Sequence, residues 1–257
     1  MKKIAIVTGA SSGMGQQFAR TAHRHVAYDE LWIIARREDR LQKLAKELKN
    51  QKVRCIPMDL TDDKKIQELA TKFNEEKVEI ALLINAAGFG KFQAVSDVPQ
   101  DLADRMLNLN CKALMDMCYI CLPFMQKGSK ILNIASVAAF QPVPYIAEYA
   151  ATKAFVLSFS RGLWKELRSS GITVTALCPY WTKTEFFDVA NNKNGKDRIT
   201  YFNAMYEAKD LVNRGWRDLL KGKDVSTFGT IARMQIWLVK HLPHKLVMNV
   251  WCKQQGI

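Results

Sequence analysis

Short apolar runs alternate along the chain with longer stretches in which apolar side chains return every three or four positions. The runs fall at residues 4–8, 31–35, 53–56, 80–85, 131–135 and 172–177. Between them the spacing predicts helices over 13–25, 38–49, 62–76, 101–125 and 149–169. The runs do not alternate polar with apolar residues, so both faces of each strand are expected to be buried. Such strand–helix alternation predicts an α/β fold, a Rossmann-like doubly wound parallel sheet in three layers. Right-handed crossovers then bring the strand carboxyl ends to one edge, where ligands bind. A last strand within 223–229 and two amphipathic C-terminal helices, 230–241 and 244–253, complete the pattern. No Pro/Gly-rich linker, repeat or low-complexity tract divides the chain, so 1–257 is read as one domain.

Composition narrows the partners. A chain of 257 residues buries a sizeable core, and no apolar run approaches the roughly 20 residues that span a bilayer. The opening MKKIAIVTGASSG has a run too short for a secretory signal and is read as a first strand. Cys55, Cys111, Cys118, Cys121, Cys178 and Cys252 are scattered through apolar segments, which fits reduced thiols in a cytoplasmic protein. Cys118 and Cys121 form a CxxC with no second pair and no nearby histidine, so no metal site is expected. The net charge of +13 asks for an anionic partner: nucleic acid, a membrane surface or a cofactor. No motif specific for nucleic acid is present.

The candidate chemistry lies at the predicted strand ends. Thr8-Gly9-Ala10-Ser11-Ser12-Gly13-Met14-Gly15 follows the first strand and opens a helix. Gly9 suits a tight turn, Gly13 a close approach to a pyrophosphate, and Gly15 close helix–sheet packing. The helix amino end favours the phosphate charge. After the second strand stand Ala35-Arg36-Arg37, where an NAD-selective site carries an acid. Two guanidiniums there suit the 2′-phosphate of NADP, or else begin a solvated surface helix. Asp59 is an acceptor for an adenine amino group, a cap before Thr61 and Asp62, or both. Asn85-Ala86-Ala87-Gly88 ends the fourth strand with small residues that admit a dinucleotide. Tyr149 and Lys153 lie four apart on one predicted helix, with Ser136 thirteen residues before the tyrosine. An ammonium beside a phenol favours the phenolate, and a tyrosine so placed exchanges a proton with a carbonyl or alcohol oxygen.

Taken together, TGASSGMG, Asp59, NAAG, Asn110, Ser136, YAATK and CPYWTKT resemble the short-chain dehydrogenase/reductase family, in family order over residues 1 to 184. With a non-catalytic NADP-binding regulator on the same fold, or a peripheral membrane protein acting through its basic C-terminal helices, as the alternatives, the resemblance implies hydride transfer between NADP(H) and a ketone or secondary alcohol. Tyr149 is then the general acid/base, and Ser136 polarises the carbonyl. Lys153 binds the nicotinamide ribose and lowers the Tyr149 pKa. Asn110, favoured over Asn108, holds a water of the proton relay. The implied cofactor set is Gly9, Ser11, Ser12, Gly13, Met14, Gly15, Arg36, Arg37, Asp59, Leu60, Asn85, Ala86, Ala87, Gly88, Tyr149, Lys153, Pro179, Thr182 and Thr184. Two positions depart from the family: Pro179-Tyr180 replaces Pro-Gly, and Ala86 replaces an asparagine.

By the same resemblance the region after the sixth strand, 185–216, is a substrate lid. Its Phe186, Phe187, Val189, Tyr201, Phe202, Met205, Tyr206 and Trp216 imply an apolar carbonyl such as a 3-oxoacyl, steroid or other lipid-like substrate, unless they form only the lid's own core. The C-terminal extension at 230–257 mixes Met234, Trp237, Leu246 and Val250 with Arg233, Lys240, Lys245 and Lys253. Such helices pack on the core or on a second subunit of a homo-oligomer, or touch an anionic membrane surface.

Overall fold

The computed structural model describes residues 1–191 and 198–257; the part of the expected lid at 192–197 lies outside the described residues. In chain order the first half runs β1 (Lys2–Thr8), α1 (Gly13–Thr21), β2 (Glu30–Ala35), α2 (Glu38–Glu47), β3 (Val53–Pro57), α3 (Asp63–Glu75) and β4 (Val78–Asn85). Then come α4 (Gln100–Leu107), α5 (Leu114–Cys121), β5 (Lys130–Ile134), α6 (Ala147–Leu167) and β6 (Thr173–Leu177). The last third contains β7 (Thr182–Lys183), α7 (Phe186–Ala190), β8 (Tyr206–Glu207), α8 (Ala208–Leu220), β9 (Val225–Ser226), α9 (Thr230–His241) and α10 (His244–Gln255).

The central sheet is parallel throughout, in the order β3-β2-β1-β4-β5-β6-β9. The expected doubly wound Rossmann-like fold is therefore present. Its order reverses between β1 and β4, and a ligand crevice opens at such a switch point. Successive residues of each strand feed opposite layers. Ile4, Ile6, Trp32 and Leu83 pack with Phe73 of α3, Met117 of α5 and Val156 of α6. Ala5, Val7, Ile33 and Ile84 pack with Phe18 of α1, Leu44 of α2 and Leu219 of α8. This double burial explains why the strands show no polar alternation.

Two features differ from the sequence expectation. The helix expected over 101–125 is interrupted, with α4 and α5 joined by a π-helical segment, Asn108–Ala113. The extra residue per turn leaves the side chain of Asn110 wholly buried, where it finds partners in the chain. Such π segments occur mostly as local bulges, often at functional sites. The lid is shorter than expected, because 208–220 is a sheet-packing helix. Trp216 belongs to the core: its ring meets Phe18 edge-on at 5.3 Å, and its indole N–H donates to Thr21 Oγ1 at 2.9 Å. The C-terminal helices α9 and α10 bury one face each against the body, through Ala232, Ile236 and Val239 on the first and Val247 on the second.

Trp216→Ala is expected to cost about 3–5 kcal/mol of stability, the range for removing a buried aromatic. Denaturant unfolding followed by circular dichroism measures it; a loss below ~1 kcal/mol would place Trp216 outside the core.

Candidate active site

The glycine turn after β1 and the NAAG segment after β4 are locked together by backbone proximity. Gly9 has φ 65°, and a Cβ there would lie 2.7 Å from the Ala86 carbonyl carbon. Thr8 Oγ1 donates to Ile84 O at 3.3 Å and accepts from Ala86 N at 3.1 Å. These contacts hold two strand ends open as one wall of a cleft of about 440 Å³.

At one end of the cleft Arg37 donates to Ser11 Oγ through Nε and Nη2 (3.3 and 3.0 Å) and to Ser12 Oγ through Nη2 (3.0 Å). Arg36 Nη1 stands 3.9 Å from Asp59 Oδ2. Asp59 also accepts from Thr61 N and Thr61 Oγ1, at 3.0 and 2.9 Å, so it serves as a turn acid on the cleft wall. Both proposed roles of Asp59 are compatible with that position.

At the other end lie Ser136, Tyr149 and Lys153. Tyr149 sits in the first turn of α6, and Lys153 follows one turn later with its Nζ 5.6 Å from the tyrosine ring centroid. Lys153 is only 4% exposed, and its ammonium donates to Ile134 O at the end of β5, at 2.7 Å. Ser136, just past β5, accepts from Ala138 N at 3.1 Å and lines the cleft beside Tyr149. Burial pushes the Tyr149 phenol up to about 12, which the nearby Ser136 hydroxyl only partly offsets. Burial pushes Lys153 down to about 8, against the opposing pull of Cys111 and Cys178. The Tyr149 phenol is therefore raised, not lowered as expected from Lys153. The ammonium turns to a carbonyl, and desolvation of the phenolate dominates.

Asn110 holds the backbone beside the site. Its Oδ1 accepts from Phe89 N at 3.0 Å, and its Nδ2 donates to Phe89 O at 2.8 Å and Thr152 Oγ1 at 3.0 Å. A Cβ at Gly88 would lie 2.9 Å from Asn110 Oδ1 and 3.6 Å from Lys153 Nζ, so glycine there keeps the three segments close. Asn110 is thus next to Lys153, but its side chain is committed to the chain and does not line the cleft. Asn85 also departs from expectation. Its amide donates to Asn133 Oδ1 at 2.9 Å and Cys118 Sγ at 3.4 Å in the core, and only Ala86, Ala87 and Gly88 of that segment face the cleft. The remaining expected residues, Ser11, Ser12, Gly13, Met14, Gly15, Leu60, Pro179, Thr182 and Thr184, all line it.

Several lining residues were not singled out by the sequence. Val143, Ile146 and Trp181 form apolar wall beyond Tyr149, and Gln235 of α9 and Trp251 of α10 close that end. Trp251 is anchored by its indole N–H on Pro144 O at 3.0 Å. Tyr180, standing where the family has glycine, donates to Asn203 Oδ1 (2.8 Å) and Gln235 Oε1 (3.1 Å), so it ties the lid to α9. The amphipathic pattern of α9 and α10 was the only advance signal. It marked a buried face without naming what that face covers.

A cleft with a glycine cradle, guanidiniums at one end and a Ser-Tyr-Lys set at the other fits a nicotinamide dinucleotide. Known proteins agree. The profile of the short chain dehydrogenase family matches residues 3–195, and the chain belongs to that family. It is an NAD(P)-dependent oxidoreductase. It is 32% identical over 196 residues to an uncharacterized oxidoreductase of Staphylococcus aureus, covering 76% of this chain and 84% of that protein. Among solved structures, a short-chain dehydrogenase from Sphingobium yanoikuyae in complex with NADPH superposes with a TM-score of 0.78 at 28% identity, covering 95% of this chain and 96% of that one. The bulky-bulky ketone specific alcohol dehydrogenase from Comamonas testosteroni superposes at 0.72 with 26% identity, covering 95% of both chains.

The depressed Lys153 has a signed consequence for stability. Between about 8 and its ordinary 10.5 the unfolded chain holds a proton that the folded chain has released. Stability from this group therefore rises with pH across that window. Relative to Lys153→Met, the wild type is expected to gain up to about 3 kcal/mol from pH 7 to pH 10.5 in chemical unfolding. A pH-independent difference would mean that the ammonium is hydrated.

Proposed function

We propose that this protein is an NADP(H)-dependent carbonyl reductase, or alcohol dehydrogenase in reverse, acting on a bulky apolar ketone or its secondary alcohol. The observation that carries the reading is the cleft itself: Arg36 and Arg37 beside Ser11 and Ser12 at one end, Ser136, Tyr149 and Lys153 at the other. When bound, the nicotinamide supplies or accepts the hydride. Arg36 and Arg37 suit a 2′-phosphate through paired N–H donors. The backbone between Gly9 and Gly15 receives the pyrophosphate. Lys153 is placed for the nicotinamide ribose.

Tyr149, held near 12, stays protonated through the physiological range and is an acid ready to give its proton to a forming alkoxide. Ser136 donates to the same oxygen and orients it. Val143, Ile146, Trp181, Phe186 and Trp251 shape an apolar space for the groups flanking the carbonyl. The ketone specificity of the Comamonas neighbour supports the same substrate class.

Tyr149→Phe is expected to lower turnover by about 10²–10⁴-fold while leaving NADPH binding intact. Titrations following nicotinamide fluorescence are expected to favour NADPH over NADH. Preference for NADH would remove the phosphate reading and leave the proton chemistry standing. Unchanged turnover in Tyr149→Phe would remove the chemistry.

The reading extends to where the enzyme works, which we place at the cytoplasmic face of an anionic membrane. No helix of the described residues is long and apolar enough to cross a bilayer. However, α9 and α10 present Met234 (60% exposed), Trp237 (61% exposed), Leu246 and Val250 to solvent. After Asp224 the chain has no acid, but carries Arg233, Lys240, Lys245 and Lys253. Apolar anchors rimmed by cations suit an anionic lipid surface. Co-sedimentation with phosphatidylserine vesicles is expected at low salt, weakening as salt rises, and is expected to be lost in Trp237→Glu with Leu246→Glu. Wild-type protein that stays in the supernatant at low salt would end this part of the reading.

A further inference from the structure

The lid begins with a carboxylate already seated among the arginines of the cofactor site. Glu185, the residue before α7, places both carboxylate oxygens 2.6 Å from Arg40 Nη1. Its Oε2 also accepts from Arg37 Nη1 at 3.2 Å. Arg37 is the same side chain that reaches Ser11 and Ser12 on the glycine turn. One guanidinium thus spans from the phosphate cradle to the lid, and Arg40, one turn along α2, completes the clasp. Glu185 itself lines the cleft.

We propose that Glu185 is a specificity-determining residue that stands in for the cofactor 2′-phosphate: it occupies Arg37 and Arg40 in the free protein and is displaced when that phosphate arrives. The inference rests on the NADP(H) reading above and extends it by assigning Arg40 to the phosphate site and Glu185 to its control. A carboxylate and a phosphate compete for the same planar donors, and a phosphate offers more charge and one more acceptor oxygen. A ribose hydroxyl carries no charge, so a cofactor without the 2′-phosphate leaves the clasp closed.

The clasp is also mechanically connected to the chemistry. Phe186 follows Glu185 directly, and its ring centroid lies 5.4 Å from that of Tyr149. Glu185 O accepts from Asp188 N at 3.1 Å, and Thr184 Oγ1 accepts from Phe186 N at 3.3 Å, so the turn moves as a unit. Release of Glu185 therefore frees the first turn of the lid over the catalytic tyrosine. Glu185, Arg37 and Arg40 are all more than one-third exposed, so each pair is weak and exchangeable.

The test compares 2′,5′-ADP with 5′-ADP, using hydrogen exchange over Phe186–Ala190 and calorimetric binding on the full chain. In the wild type, 2′,5′-ADP is expected to speed exchange in this helix and 5′-ADP to leave it unchanged. Glu185→Gln is expected to exchange fast without ligand and to bind 2′,5′-ADP about 3- to 10-fold more tightly, with 5′-ADP affinity unaltered. Arg40→Gln is expected to weaken 2′,5′-ADP by a similar factor and to spare 5′-ADP. Binding of 2′,5′-ADP with no change in helix exchange, or with no gain in Glu185→Gln, overturns the clasp alone. Binding of 5′-ADP with no preference for the 2′-phosphate overturns the NADP(H) reading and the clasp with it.

Discussion

A lysine ammonium withdrawn from water must find an acceptor, and Lys153 finds the carbonyl of Ile134 at the carboxyl end of β5. Much else at the site follows from that one bond. It pins α6 to the sheet edge, which places Tyr149 over the cleft and brings Ser136 within reach of its hydroxyl. Gly88 packs between Lys153 and Asn110, where a Cβ would crowd Asn110 Oδ1 at 2.9 Å. The cost is electrostatic: the buried amine and the buried phenol are both displaced toward their neutral forms. A neutral phenol is the form that gives a proton to a carbonyl oxygen, so the desolvation that costs stability also prepares the acid.

The cleft is polarised along its length. One end carries exposed, rearrangeable charges, namely Arg36, Arg37, Asp59 and Glu185, with Arg40 paired to Glu185. Its other end is shaped by aromatic rings packed on one another, with Trp181 meeting Phe202 at 5.0 Å and Trp251 at 6.4 Å. Charges screened by water exchange partners at little cost, whereas interlocked rings hold a shape.

The third layer of control comes from elements remote in sequence. Tyr180 bonds both the lid residue Asn203 and Gln235 of α9. Gln255 on α10 accepts from Thr200 N and Tyr201 N and donates to Tyr201 O. The C-terminal helices thereby brace the lid from outside while Trp251 reaches the cleft. The departure from glycine at position 180 is thus a structural joint between lid and C-terminus.

The sequence by itself determined the parallel sheet, the glycine turn and the pairing of Tyr149 with Lys153 on one helix. Strand burial writes itself as unbroken apolar runs. A turn that must admit a second backbone requires glycine, as Gly9 against Ala86 shows. Tyr149 and Lys153 share a helix face by spacing alone. Tertiary structure alone decided the rest, because those properties depend on partners far along the chain. Asn85 looks like a cleft residue by position, yet the Asn133 side chain draws its amide into the core. Asn110 lies on what reads as an ordinary helix, until a π segment turns it inward onto Phe89. Trp216 carries the composition of a lid aromatic but is claimed by Phe18 and Thr21. Local pattern fixes which face of an element is apolar; only the packed molecule determines what that face meets.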